Sequence, residues 1–226
     1  MSKLVWDQVG ERFYETGVSK GVLYIQNNGA YTNGVAWNGL TAVNESPEGA
    51  EANDIYADDI KYLTLRSAEN FKATIEAYTY PDEFEECDGS RIVVPGVTVH
   101  AQPRKSFGFS FVTVYGNDTD LNEYGYKIHL IYGATVAPSE KSYQTINDNP
   151  EAISFSWEMS TIPIPVTGYK PTAQIVIDSS KFTTEAARAK LTAFEDILYG
   201  TDAEGGNEGT APRLPLPDEV IQKLTV

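Results

Sequence analysis

The sequence predicts a mainly β protein, an antiparallel sandwich or barrel with one flanking α-helix, and three observations carry that prediction. Side chains alternate between apolar and polar over many stretches, the period expected of strands with one buried face. The 14 tyrosines and 9 phenylalanines among 226 residues suit strands, where rings pack on a pleated surface. Turn residues separate the runs, as in Asn27-Asn28-Gly29, Asn33-Gly34 and Asn38-Gly39. A chain of this length buries a real core unaided. Its single cysteine, Cys87, excludes an internal disulfide.

Taken in order, residues 1–20 are weakly patterned and read as an N-terminal arm, leaving 21–199 as the β domain. Strand candidates begin at 22–26 and 33–38. Residues 38–59 then carry Glu45, Glu48, Glu51, Asp54, Asp58 and Asp59 with no Lys or Arg, and read as an extended acidic loop. Another strand is expected at 60–66. In 71–79, Phe71, Ala73, Ile75 and Ala77 alternate with Lys72, Thr74, Glu76 and Tyr78. Phe84 to Cys87, after Pro81, suits one helical turn, and 92–99 a strand.

The clearest alternation follows. Phe107, Phe109, Phe111, Thr113 and Tyr115 share one face, with Gly108, Ser110, Val112 and Val114 on the other. Tyr124, Tyr126, Ile128, Leu130 and Tyr132 alternate with Gly125, Lys127, His129 and Ile131. Ile153, Phe155, Trp157 and Met159 alternate with Ser154, Ser156, Glu158 and Ser160. A last strand is expected at 173–178. Ala187, Leu191, Phe194 and Leu198 form one helical stripe within 183–199, and Gly200 stands at its C-cap. Residues 200–226 read as a C-terminal arm, with the Gly205-Gly206 pair as linker. A short helix starts at Pro217, and Asp218 and Glu219 favour its N-terminus.

Charge narrows the function. The 17 Lys+Arg against 32 Asp+Glu leave a net charge of −15. That argues against a conventional nucleic-acid binder, which neutralises phosphates with basic side chains. Met1 to Asp7 lacks the apolar run of a signal peptide, and no stretch approaches the ~18 apolar residues of a membrane span.

The catalytic motifs fail on context. Gly17-Val-Ser19-Lys-Gly21 matches the nucleophile-elbow pattern, which requires a strand before it and a helix after, yet the strand-like Val22-Leu-Tyr-Ile25 follows. His100 and His129 stand on separate strand candidates without zinc-ligand spacing. Asp118-Thr-Asp120-Leu-Asn122 begins like a calcium loop, but Glu123 stands where glycine must turn the chain. The acids Asp82, Glu83, Glu85, Glu86 and Asp88 read as a solvated run. No enzyme, metal or cofactor is expected.

The order of several segments points further. Ile55-Tyr-Ala-Asp-Asp-Ile-Lys-Tyr62 precedes Ala73-Thr-Ile-Glu-Ala-Tyr-Thr-Tyr-Pro-Asp-Glu-Phe84 and Cys87-Asp-Gly89. Phe107-Gly-Phe109, Gly116-Asn-Asp118 and Gly125-Tyr-Lys-Ile-His-Leu-Ile-Tyr-Gly133 follow. After them come Pro138-Ser-Glu-Lys-Ser-Tyr143, Thr145-Ile-Asn-Asp148 and Pro150-Glu-Ala-Ile-Ser-Phe-Ser-Trp157. Leu198-Tyr-Gly-Thr-Asp202 and Arg213-Leu-Pro-Leu-Pro-Asp-Glu-Val220 close the series. Across 55–220 this set resembles the major tail tube proteins of long non-contractile-tailed bacteriophages.

The resemblance implies a β fold of tail-tube type and a structural virion protein. Such proteins self-assemble into hexameric rings that stack as the tail tube, the conduit for DNA ejection. Its partners would be further copies, a tape-measure protein and tail-end proteins, with DNA only in passage. Its location would be the virion tail, after host cytoplasm. The acidic 38–59 would be an inter-ring loop meeting a basic surface, for which Arg104 and Lys105 are the best doublet. The lumen should present acids and small polar groups, because a basic lining would trap the duplex. Thr74, Glu76, Ser154, Ser156, Glu158 and Ser160 are the candidates, although alternation alone does not say which polar side is inside. In the C-terminal arm, Leu214, Leu216, Val220 and Leu224 are apolar enough to dock on their own subunit or a neighbour. The alternative is a monomeric or small-oligomer β-sandwich binding module, for instance for carbohydrate, with its aromatics exposed as a platform.

Overall fold

The computed structural model describes residues 3–146, 148, 151–203 and 208–225. From the N-terminus the chain runs through β1 (Phe13–Asn27), the short strands β2 (Ala30–Thr32) and β3 (Val35–Trp37), and β4 (Leu40–Glu45). It then leaves the body as β5 (Glu48–Gly49), β6 (Ala52–Ala57), β7 (Ile60–Arg66) and β8 (Glu69–Asn70). It returns as β9 (Lys72–Ala77) and makes a 3₁₀ turn, Asp82–Phe84, that runs into α1 (Glu85–Asp88). The hairpin β10 (Arg91–Val94) and β11 (Val97–Val99) precedes two long strands, β12 (Phe107–Asn117) and β13 (Leu121–Val136). After β14 (Phe155–Thr161) come the hairpin β15 (Ile164–Val166) and β16 (Tyr169–Thr172), then β17 (Gln174–Asp178). The chain ends with α2 (Glu185–Tyr199), β18 (Arg213–Leu214) and α3 (Pro217–Leu224).

One antiparallel sheet of ten strands organises the body in the order β18–β2–β1–β12–β13–β14–β9–β4, with β3 added to β1 and β17 to β13. It is mainly β with flanking helices, the class expected. The register sets Leu23 opposite Phe109, Phe109 opposite Ile131, and Trp157 opposite Ile75. These residues share one buried cluster with Trp37, Phe84 and Phe107. Trp37 lies 5.5 Å from Phe109 and 5.5 Å from Trp157, so the two ends of the sheet fold over and pack face to face.

The opposite face of the central strands is also buried. Tyr24, Val112, Ile128, Leu130 and Tyr132 pack beneath Leu191, Phe194 and Leu198 of α2. The helix starts where Thr184 accepts a hydrogen bond from the Ala187 N–H at 3.2 Å, and Gly200 caps its end. Burial on both faces explains why β13 reads as apolar on either side of residue 130.

Four expectations need correction. The N-terminal arm does not reach residue 20, because Phe13 to Ser19 pair with β12. Register shifts between Thr16 and Val22, with Gly17 and Lys20 at positive φ, break the alternation and hid this strand. Residues 38–59 are not a single loop: β4 pairs with β9 inside the sheet, and the rest is hairpin. The 92–99 strand is two strands, folded at Pro95-Gly96. The C-terminal segment belongs to the body, with Leu214 and Val220 each 2% exposed in the α2 cluster. Gly205-Gly206 lies outside the described residues, as do Met1, Ser2, Pro150 and Val226.

Candidate functional site

The prominent surface feature is the arm between β4 and β9. Its two short ladders pair β5 with β8 and β6 with β7, and among the described residues with nothing else. Ile55 faces Leu63 across the ladder, and Tyr56, next in sequence, points to the other side. Apolar side chains therefore stand on both faces, with Tyr56 68%, Ile60 64% and Tyr62 66% exposed. At the tip Asp58 and Asp59 both have positive φ, the geometry of a type I′ hairpin turn.

The six acidic candidates do not form one group. Glu45 ends β4 and turns to the body, where it accepts a hydrogen bond from Gln174 and lies 3.8 Å from His129 Nδ1. Glu48 pairs with Lys72 at 2.8 Å. Glu51 is exposed between the two ladders. Asp54 accepts from Lys61 at 2.8 Å and from Thr64 at 2.6 Å, and these bonds hold its carboxyl below the ordinary value. Only Asp58 and Asp59 occupy the free tip.

The basic doublet has contacts within its own subunit. Lys105 is ion-paired with Glu86. The Arg104 guanidinium packs over Gly89, where a Cβ would lie 3.0 Å from Cζ. Within its own subunit Lys105 thus has a partner on α1, an arrangement that spacing alone did not reveal.

The polar candidates on β14 and β9 do come together. Ser156 is opposite Glu76, Glu158 opposite Thr74, and Ser160 opposite Lys72. β4 extends the same face, and Asn44 donates to Glu76 at 3.0 Å. Ser154 precedes β14 and is exposed. Lys72 and Asn44 were missed. Lys72 sits 4.0 Å from Glu158 and brings a cation into an otherwise acidic face, visible in the sequence only as an alternation partner of Thr74. On the reverse side Trp157 and Ile75 are fully buried, with Phe155 and Phe71 packed against them.

At the C-terminus Leu214 pairs opposite Tyr31, Leu224 is partly buried, and Leu216 stays 41% exposed. Asp218 accepts from the Thr167 N–H at 2.8 Å, and Arg213 donates to Glu219 at 2.8 Å, so α3 docks on its own subunit.

The remaining motifs are placed as follows. Ser19 lies inside β1, between register shifts. His100 Nδ1 is 2.8 Å from Ser90 Oγ. Burial pushes the Cys87 thiol up to about 12, which leaves it without thiolate character at neutral pH. Asn117 closes its turn by accepting from the Thr119 and Asp120 N–H groups. Among the described residues no three His, Cys, Asp or Glu side chains are grouped to hold a metal ion, and no helix is long and apolar enough to cross a membrane.

No protein-family model matches the chain, and no curated protein does. Among solved structures it is similar to a chain of the anti-feeding prophage baseplate, seen by six-fold symmetrised cryo-electron microscopy. The match has 10% identity and a TM-score of 0.36, covering 77% of this chain and 97% of the other. A score this low fixes neither fold nor function.

Proposed function

We propose that this chain is a structural virion protein of a long-tailed phage, forming hexameric rings that stack into the tail tube through which DNA passes. The observation that carries this reading is the arm. An isolated two-stranded hairpin is at best marginal in water, and this one exposes Tyr56, Ile60, Tyr62 and Leu65 without cover from its own body. Such a surface is finished by another molecule. The sheet also ends at β4, whose outer edge is unpaired among the described residues. An open edge is an aggregation liability in a monomer, and joining strands around a ring removes it.

The charge agrees. Six copies at −15 carry roughly −90, a field that repels phosphate and lets a duplex slide. Stacking the rings is a head-to-tail contact, which naturally makes open filaments. The tape-measure and tail-end proteins remain partners by resemblance alone.

Negative-stain electron microscopy of the purified chain over a concentration series is the test. Rings or tubes are expected. Replacing 52–66 by a two-residue turn should leave monomers of unchanged melting temperature and no tubes, since the arm contributes nothing to either core cluster. Globular monomers from the intact chain at every concentration would overturn the reading.

A further inference from the structure

A cleft of about 730 Å³ opens at the root of the arm, between Arg66 to Phe71 on one side and Lys170 to Gln174 on the other. Arg66 and Lys170 both line it, both are exposed, and neither is ion-paired among the described residues. Glu69 also lines it, so its charged side chains sum to one positive charge. That is unusual on a chain of net charge −15.

The tip of the same arm has the opposite character. Asp58 and Asp59 are adjacent, exposed and unpaired among the described residues, and both sit at positive φ. Asn-Gly is the comfortable choice for such a turn. Two neighbouring aspartates add mutual repulsion to a backbone conformation that costs non-glycine residues energy. A facing pair of cations would relieve the repulsion.

Tip and root cannot meet within one chain. Asp58 lies six positions beyond Ala52 along β6, about 20 Å at ~3.3 Å per residue. We infer that the cleft at the arm's root receives the Asp58-Asp59 turn of a second copy, with Arg66 and Lys170 as its cationic partners. The inference rests on the assembly reading above and names the surface on which the arm lands. Because donor and acceptor are different patches, every copy with an occupied cleft still offers a free tip. The contact is therefore heterologous, and placed between successive rings it propagates in one direction. A volume of this size suits a ligand of a few residues, and Arg66 and Lys170, beside the apolar Phe71, Pro163 and Pro171, offer cations to a turn whose outer groups are carboxylates.

The test is a charge swap in the full chain, read by polymer pelleting and microscopy, with circular dichroism and a thermal melt to verify folding. Reversing the tip (Asp58→Lys with Asp59→Lys) or the cleft (Arg66→Glu with Lys170→Glu) should each reduce polymer at least about tenfold, because like charges are then juxtaposed. The quadruple variant should recover most of the loss. A cleft reversal that polymerises normally, or a quadruple variant no better than the doubles, overturns the inference.

A second measurement stands even if no tubes form, so failure of this contact is separable from failure of the assembly reading. Asp59→Cys chains and Lys170→Cys chains are mixed with a short bismaleimide, Cys87 being buried. Covalent dimers should form in the mixture and not in either protein alone. Dimers from Asp59→Cys alone would mean tip-to-tip contact, and no enrichment in the mixture would mean no contact. Either result overturns the inference.

Discussion

The imidazole of His129 lies flat on the ring of Phe111, with centroids 4.4 Å apart and planes 4° from parallel. Thr113 Oγ1 stands 3.0 Å from its Nε2, Glu15 is 3.4 Å from the same nitrogen, and Glu45 is 3.8 Å from Nδ1. Burial holds the imidazole below its ordinary value, against the pull of Glu45 and Glu15 and with the help of Lys127. The folded state therefore binds fewer protons here than the unfolded chain. Its stability contribution is full above about pH 6.5 and is lost as pH falls through the folded value.

Glu15 acts in the same direction at more acidic pH. Partial burial pushes its carboxyl up, but hydrogen bonds from Lys127 and Thr113 outweigh this and leave it below the ordinary value. Urea unfolding should show the midpoint falling between pH 7 and 5, in the histidine range of about 6.5, and His129→Gln should flatten that part of the profile. A variant profile parallel to the parent would remove His129 from the account.

The two buried tryptophans should differ in what their indole nitrogens contribute. Trp37 Nε1 donates to the Thr79 carbonyl at 2.9 Å, whereas Trp157 Nε1 has no partner among the described residues. Replacement by phenylalanine removes the same atoms from both sites. At Trp37 it also leaves a carbonyl without its donor, a penalty of about 1–3 kcal/mol. Trp37→Phe should therefore be the more destabilising by about 1 kcal/mol in denaturant melts. The reverse order would contradict the hydrogen-bond assignment.

The C-terminal segment should behave as core. Leu214 sits directly on the sheet because position 108 is glycine; a Cβ there would lie 2.5 Å from Leu214 Cδ2. Leu214→Ala should cost about 2–5 kcal/mol. Truncation after Asp202 should also lower the melting temperature, by uncovering Leu191 and Phe194 as well. A truncated chain that melts like the intact one would return the segment to the status of an arm.

The polar face shared by β14, β9 and β4 is the proposed lumen lining. Glu158→Lys with Glu76→Lys should leave assembly intact while creating a basic stripe around Lys72. Tubes of the variant should retain duplex DNA at about 50 mM salt and release it at about 200 mM, whereas parent tubes should retain none. Equal behaviour of the two would place this face on the outside.

Local signals made part of this architecture legible. β7 and α3 occupy 60–66 and 217–224 as read, because Asp58-Asp59 and Pro217 punctuate the chain where the backbone turns. The stripe of Ala187, Leu191, Phe194 and Leu198 is the buried face of α2. What stayed hidden depends on partners far away in sequence. The bulged half of β1 loses its alternation at Gly17 and Lys20, and only pairing with β12 identifies it as strand. The Lys105–Glu86 pair and the approach of Glu45 to His129 are tertiary facts, and no spacing rule reaches across 84 positions.

Time adds a last consequence of the β1–β12 ladder. Phe13 pairs with Asn117, so the first strand is synthesised 104 residues before its far partner exists. At about 5–20 residues per second, the start of the chain waits roughly 5–20 s on the ribosome for a neighbour. Through that interval Leu4, Val5 and Trp6, exposed even in the finished fold, stand beside a strand whose edge for β12 is open. The arm, whose pairings span fewer than 25 residues, is complete early in that wait, yet the body that would present it is not. A nascent chain therefore carries a finished connector before it carries anything to connect, and crowded polysomes are where mutual repulsion between acidic chains has the most to do.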